Sequence, residues 1–525
     1  MDGAEEGPWS PALRELAARR ERARRMGGEE GIARQRAQGK QTARERIALL
    51  LDPDSFREMG QLAGAGRYSA EGALEDVTPA NSIVGTGAID GRRVAVAADD
   101  FTIRGGSVEA TIAEKWIYAE RYAREMRLPL VRLVDSVGGS VRTLEQAGYA
   151  AVPGYPSWPV IPLLDCVPVV GVAMGACAGL GAVKVMAAHF SVMVRGTAQL
   201  FAAGPPVVKR ALGLTIDREA LGGADMHARG SGMVDNDAAD EADALAQARR
   251  FLSYLPRHVG EPPPRLPRAD DPARLAPLLR DIIPHDKRLP YDPRVILDAV
   301  CDHGSVFEIG RHHGGSSITA LGRLDGVPVA IMANDPHVAA GAMTRLAAQK
   351  VERMVELAEQ FHLPVVNLVD QPGNMVGPQA EREGTLLAAV RLLKAIERSR
   401  TPWISIILRR VYGVAGGLHG RKHGVDGRSI NHRYAWPSGA WGSLPVEGGV
   451  AAAYRREIEA SSDPAAAREA IEARYQGLQS PFRTAEHFGV VDIIDPAETR
   501  AVLCDWVQDA WELVRIHADQ ARARL

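Results

Sequence analysis

Apolar positions fall into short dense runs separated by amphipathic stretches, and the same alternation occurs twice along the chain. Val94–Ala98 is a continuous apolar run preceded by Ile89-Asp90-Gly91, a hairpin-turn signal; the later run Val329–Ala333 is preceded by Leu324-Asp325-Gly326. A glycine-bearing loop follows each run. Apolar residues then recur with a period near 3.6 over Ala110–Met126 and Thr344–Phe361, which predicts helices. Leu128-Pro129 and Leu363-Pro364 restart the chain as second apolar runs, Leu130–Val134 and Val365–Val369, each ending on an aspartate and a glycine-rich turn. Third strands open at Cys166-Val167-Pro168-Val169 and Arg400-Thr401-Pro402-Trp403. Strand–helix–strand order with short crossovers predicts parallel neighbours and an α/β fold.

Set against each other at a constant offset of 235, Gly87–Gly138 and Gly322–Gly373 align without a gap. About 18 of about 52 positions are identical, where composition alone gives roughly four. Asp100 meets Asp335, Gly106 meets Gly341, Lys115 meets Lys350 and Asp135 meets Asp370. A repeat of this length predicts two homologous domains rather than a solenoid. Pro256–Pro272, which contains Pro262-Pro263-Pro264, marks the boundary between them. The expected organisation is an N-terminal helical arm over 1–45, a first domain over 46–258, a proline-rich linker over 259–280 and a second domain over 281–515.

Composition narrows the function classes. A chain of 525 residues exceeds one ordinary core, and 46% apolar with 24% charged residues is a folded, soluble balance. A net charge of -2 excludes a global nucleic-acid footprint. Cys166, Cys177, Cys301 and Cys504 are scattered with no C-x-x-C pair, so neither a disulfide framework nor a zinc site is expected. The longest apolar candidate for a membrane span, Val160–Met174, is broken by Pro162, Asp165 and Pro168. Glu5, Glu6, Glu15, Glu21 and Glu29 interrupt the Arg-rich start, unlike a transit peptide, and the expected location is cytoplasmic.

The third strands end in Cys177-Ala178-Gly179-Leu180-Gly181-Ala182 and Val411-Tyr412-Gly413-Val414-Ala415-Gly416. A strand running through glycines into a helix leaves N–H groups unpaired and open to close approach, which makes an anion or oxyanion site. The same glycines would serve equally to let strand and helix pack tightly. Duplication favours the functional reading, because both halves keep the device at the same place. Neither copy has a Walker-A lysine and serine. His312-His313, and His419 with His423 near Asp426, are weak metal candidates and better read as surface or substrate-binding histidines; no metal is expected. Cys177 beside the first donor segment reads as a packing residue. Arg421-Lys422 suits a carboxylate or phosphate, or a solvated loop. No Ser-His-Asp spacing and no positioned general base is found.

Several motifs carry a resemblance. Gly39-Lys40-Gln41-Thr42-Ala43-Arg44-Glu45-Arg46-Ile47, then Leu50-Leu51-Asp52, resembles the opening of acyl-CoA carboxylase β subunits of the propionyl-CoA and methylcrotonyl-CoA type. Asp100-Phe101-Thr102 with Gly105-Gly106, Val369-Asp370 to Pro372-Gly373, Tyr434-Ala435-Trp436-Pro437 and Tyr454-Arg455-Arg456-Glu457 match in order. The tail Ser480-Pro481-Phe482 to Gly489-Val490-Val491-Asp492, with Pro496 and Thr499-Arg500, is similar to the family's C-terminal signature, so the likeness spans about residues 36–505.

The resemblance implies two tandem crotonase/ClpP-like ββα domains and a biotin-dependent carboxyltransferase. Carboxybiotin carried on a partner biotin carboxylase/carboxyl carrier subunit would donate CO2 to the α-carbon, or vinylogous γ-carbon, of an acyl-CoA held as an enolate. Gly179 and Leu180 would stabilise the thioester enolate; Val414 and Ala415 would hold the biotin ureido oxygen. Gly105, Gly106, Gly138, Gly139, Gly181, Gly413, Gly416 and Gly417 would line the substrate sites. Released biotin would take the α-proton, and the site would form between two copies in a homo-oligomer, usually a hexamer. The chain itself has no A-M-K-M biotinylation motif and no ATP-grasp signature. It departs from the family at Ser140-Val141-Arg142-Thr143, Gln371, Asn374, Leu180 and Gly417, which points to an altered acyl pocket. The transferase subunit of a biotin-dependent acyl-CoA decarboxylase, a biotin-independent crotonase-like enzyme and a non-catalytic scaffold are the alternatives.

Overall fold

The computed structural model describes residues 7–107, 112–139, 148–149, 152, 154, 157–286, 288–419 and 432–524. The chain forms two compact units, Met1–Ser253 and Tyr254–Leu525, each built on an eight-stranded sheet. In the first unit the strands are β1 (Arg57–Met59), β2 (Ser82–Ile89), β3 (Arg92–Asp99), β4 (Leu130–Ser136), β5 (Val169–Ala178), β6 (Phe190–Val194), β7 (Gln199–Phe201) and β8 (Asn236–Ala238). Their order is β1-β2-β3-β4-β5-β6-β8, with β7 pairing the far end of β5. The second unit carries β9 (Phe307–Ile309), β10 (Ser317–Leu324), β11 (Val327–Asn334), β12 (Val365–Gln371), β13 (Trp403–Tyr412), β14 (His432–Ala435), β15 (Ala440–Gly442) and β16 (Asp492–Ile493). Its order is the same, β9-β10-β11-β12-β13-β14-β16, with β15 on β13.

The expected repeat is thus a repeat of topology and of register. β3 pairs β4 in parallel with Ala95 opposite Leu130, and β11 pairs β12 with Ala330 opposite Val365. Both copies break register at the same place, between Val134 and Ser136 and between Val369 and Gln371. The hairpin turns Asp90-Gly91 and Asp325-Gly326 take positive φ at both residues, as a two-residue turn with right-handed strands requires. Asp52 and Asp302 accept hydrogen bonds from the two turn N–H groups in their own copy. The central strands are buried along both faces, which suits parallel strands covered by helices. The predicted helices run over Ala113–Glu125 and Arg345–Gln360.

The duplication also reaches upstream of the ungapped segment. Arg44 binds Glu58 beside Lys115, and Arg294 binds Glu308 beside Lys350, whose ammonium burial pulls down to about 8 against the opposing Glu308 charge. The offset is 250 at Arg44 and Glu58 but 235 at Lys115, and the difference is taken up by an antiparallel ribbon, Gly64–Tyr68 with Leu74–Pro79, found in the first copy. Helices Ser10–Arg24 and Gly28–Ala37 precede a capping box in which Thr42 and Glu45 bond each other's N–H groups and open helix Ala43–Leu50. The proline-rich 259–280 stretch lies along the second unit: Leu266 N–H donates to Gly326 O, and Arg265 and Arg268 pair with Asp325. The long helix Thr499–Arg522 closes that unit's core through Leu503, Trp506, Val507 and Ala510. Among the described residues no helix is long and apolar enough to cross a membrane.

Candidate active site

In each unit three turns meet where the parallel strands end. In the first, Arg104, Gly105 and Gly106 have φ of 52, 64 and 65°, a left-handed run after β3. Val137 N–H donates to Gly105 O at 3.0 Å, and Ser107 Oγ donates to Gly138 O at 2.6 Å, tying this run to the loop after β4. Close approach explains two glycines: a Cβ on Gly106 would stand 2.2 Å from Asp135 O, and one on Gly138 would stand 2.4 Å from Ala178 O. Gly105, Gly106, Gly138, Gly179 and Gly181 are therefore brought together, while Gly139 is exposed. Gly179, with φ 54° and ψ -117°, turns the chain from β5 into helix Leu180–Met186.

The N–H of Gly179, one of the two expected donors, is already used: it donates to Phe201 O on β7 at 2.9 Å. The N–H groups of Leu180 and Gly181 open the helix with no acceptor among the described residues. Strand register makes Leu180 and Gly181 the counterparts of Val414 and Ala415 in the second unit. The open pair therefore sits one residue later than expected, because the parallel pairing of β5 with β7 extends as far as Gly179.

The second unit repeats the arrangement with other residues. Ala339, Ala340 and Gly341 hold the left-handed run, with φ of 48, 54 and 82°. Two alanines there cost roughly 1 kcal/mol each, offset by hydrogen bonds, including Arg410 Nη2 to Ala340 O at 2.8 Å. Met343 N–H donates to Gly373 O, and Gly413, with φ 62°, turns β13 into helix Gly413–Leu418. Val414 is 68% exposed and Ala415 fully buried, and neither N–H has an acceptor among the described residues. Gly416 packs on Val411, whereas Gly417 faces open space. Beside Tyr412 a cavity of about 920 Å³ is walled by Pro372, Trp436, Phe482 and Ile494.

Buried ion clusters support both loops. Asp135 receives Lys40 at 3.0 Å, Arg46 at 3.0 Å and Gln35 at 3.2 Å, and Arg46 also binds Glu241. Asp370 receives Arg409 at 2.9 Å, Arg410 at 2.6 Å and the Tyr291 hydroxyl at 3.2 Å. Burial, and next the Asp370 charge, push the Tyr291 hydroxyl well above its ordinary range. In the first unit the donor helix is anchored by Lys184 to Asp99 at 2.8 Å; burial raises the Asp99 carboxyl and the lysine opposes this. The second unit has Asn334 in place of Asp99 and uses a neutral network instead. None of these partners was singled out as functional in the sequence. The signal was present in the matched aspartates 135 and 370, which end corresponding strands.

His419 is 4% exposed and bonded at both ring nitrogens, so it is neither a surface histidine nor free to ligate. Among the described residues no cluster of His, Cys, Asp or Glu could hold a metal ion. Cys177 is buried against Val134 O and its thiol is pushed far up by burial, which leaves it unreactive. His423, Arg421, Lys422, Asp426 and Ser140–Thr143 lie outside the described residues.

Burial, and then Arg433, hold the His419 imidazole down at about 4, against 6.5 for a free side chain. Between those values the unfolded chain takes up a proton that the folded chain refuses. The stability from neutral His419 is therefore complete above pH 6.5 and is lost as pH falls towards 4, by up to about 3 kcal/mol. Urea midpoints measured from pH 7 to 4.5 should fall more steeply for the wild type than for His419→Gln; equal slopes would contradict a neutral buried imidazole.

The carboxyl transferase domain family matches residues 34–523. The chain is 36% identical over 490 residues to the carboxyltransferase subunit of propionyl-CoA carboxylase from Haloferax mediterranei, covering 93% of each. It is 32% identical over 478 residues to the alpha subunit of methylmalonyl-CoA decarboxylase from Veillonella parvula, covering 90% of this chain and 91% of that one. Among solved structures it is similar to transcarboxylase 12S, a hexamer assembly with methylmalonyl-coenzyme A and methylmalonic acid bound. The TM-score is 0.84 at 30% identity, over 98% of this chain and 96% of that one.

Proposed function

The chain belongs to the carboxyl transferase family of biotin-dependent acyl-CoA carboxylases and decarboxylases, and from that membership we propose that it transfers a carboxyl group to an acyl-CoA through an enolate held by main-chain donors. The observation that carries this is the matched pair of open N–H sites, Leu180 with Gly181 and Val414 with Ala415, at corresponding strand ends of two crotonase-like domains. In the first unit the two N–H groups take the thioester oxygen as negative charge develops on it. Such donors are already oriented, so they favour the enolate without reorganising. The ionic cluster at Asp135 and the Lys184–Asp99 pair hold the turn and the helix in place.

Biotin on a partner biotin carboxylase/carrier subunit supplies the activated carboxyl group as this chain's second substrate. Val414 and Ala415 fit its ureido oxygen: two adjacent N–H donors, one on an exposed residue, with no described side chain against Gly417. No described side chain is needed as a general base. Copies of the chain assemble with one another, as transcarboxylase 12S does in its hexamer. An exposed apolar stripe, Leu386, Val390 and Leu393 with Met375 and Val376, supports this because self-association would cover it. The similarity to methylmalonyl-CoA decarboxylase supports a second reading in which the same donors run the reaction in reverse.

The test is a panel of acyl-CoAs, including propionyl- and methylmalonyl-CoA, with the biotinylated partner supplied. At least one should be carboxylated or decarboxylated, and the chain without partner should carboxylate nothing from bicarbonate and ATP. Failure to bind or turn over any acyl-CoA sinks the proposal.

A further inference from the structure

Behind the second donor pair lies a chain of buried neutral groups that has no role in the mechanism above. His419 caps the C-terminal end of helix Gly413–Leu418, and Ser405 Oγ donates to its carbonyl at 3.1 Å. Its Nε2 lies 3.0 Å from Gln371 Oε1, and its Nδ1 lies 3.1 Å from Asn367 Nδ2 and 3.2 Å from Asn367 Oδ1. Gln371 Nε2 in turn donates to Gly373 O at 2.8 Å and Gly341 O at 3.3 Å. Asn334 Nδ2 donates to Gln371 Oε1 at 2.9 Å and to Gly341 O at 3.2 Å, while its Oδ1 accepts from Asp370 N–H.

These partners fix the protons. Two carbonyls face Gln371 Nε2, so its Oε1 can only accept; His419 must therefore carry its proton on Nε2 and accept at Nδ1 from Asn367. The network then joins all three turns of the site: the left-handed run at Gly341, the loop at Gly373 and the helix that begins at Gly413. The first unit joins its helix through a Lys184–Asp99 ion pair instead.

We infer that His419 and Gln371 are positioning residues for the donor pair Val414 and Ala415, locking the helix that carries these N–H groups to the two glycine turns beside it. This rests on the reading that the pair serves carboxyl transfer, and it adds the residues that aim it. His419 touches no substrate and acts through Gln371.

The two isosteres of histidine separate positioning from bulk packing. Glutamine at 419 can place a nitrogen donor where Nε2 stands; asparagine reaches only the Nδ1 position. In the full assembly with its partner, H419N should lower kcat by about tenfold with the acyl-CoA KM changed by less than about twofold, and H419Q should recover most of the loss. Hydrogen exchange at the amides of 413–418 should accelerate in H419N and stay near wild type in H419Q, a readout independent of turnover. Equal kcat and equal exchange in the two variants would overturn the inference. So would a rise in acyl-CoA KM that tracks a loss of thermal stability, since that is the behaviour of packing alone. If the wild type turns over no acyl-CoA, the functional proposal fails, and exchange still decides whether His419 positions the helix.

Discussion

Leu180→Pro should lower turnover by about 10²–10³-fold while the protein stays folded. Proline removes the one atom in question, the N–H hydrogen at the first residue of helix Leu180–Met186. That position tolerates proline, because its N–H has no partner within the helix and the ring's fixed φ suits a first helical residue. The preceding residue is normally restricted by proline, but Gly179 at φ 54° and ψ -117° is the mirror image of the extended conformation proline favours there. Leu180 also packs, partly buried, against the core around Trp116 and Leu130. Leu180→Ala loses that packing and keeps the N–H, so it sets the baseline. Single-turnover carboxyl transfer measured on both should leave proline slower than alanine by the stated factor. Equal rates would mean that the Leu180 N–H does not meet the developing charge.

Asp135→Ala should destabilise the first unit by about 3–5 kcal/mol. Asp135 is fully buried and, among the described residues, is the one carboxylate bonded to Lys40, itself 5% exposed; Arg46, 1% exposed, would keep Glu241 and Met174 O. Removing the aspartate strands an ammonium group in the interior, with the Phe101 ring 4.1 Å from it. The cost is that of an uncompensated buried charge rather than of one lost hydrogen bond. Adding Lys40→Met should restore part of the loss, since an apolar side chain of similar length needs no counter-charge. Denaturant midpoints of the single and double variants measure both effects. A single variant within about 1 kcal/mol of wild type would show that the cluster contributes little.

Much of the framework was legible because the repeat is ungapped where it matters. Apolar runs read as Val94–Ala98 and Val329–Ala333 are the centres of strands Arg92–Asp99 and Val327–Asn334, and the helix read as Thr344–Phe361 is Arg345–Gln360. Period and turn chemistry are local, so they survive in a single sequence. The copy upstream of Gly87 was not legible, since the ribbon Gly64–Pro79 shifts the offset and conceals the pairing of Arg44 with Arg294. At the site, glycines marked the turns that converge. They could not show that Gly179 spends its N–H on Phe201, because that acceptor arrives from a separate strand. His419 was misread for the same reason. It reads as a surface or substrate-binding histidine in the sequence, whereas its partners Asn367 and Gln371 come from the neighbouring strand and bury it.

Reaction chemistry assigned to peptide N–H groups has a consequence for how this molecule can change. A side-chain catalyst is erased by one codon change, but a main-chain donor persists through nearly every replacement at its own position. Leucine stands at 180 and valine at 414, and both still present an N–H outward. Residues that face the acyl group can therefore be exchanged to admit a longer, bulkier or more polar one, as long as the buried groups that aim the donors are kept. On the proposed reading, two such sites in one chain let the two substrates be retuned separately, each within its own domain.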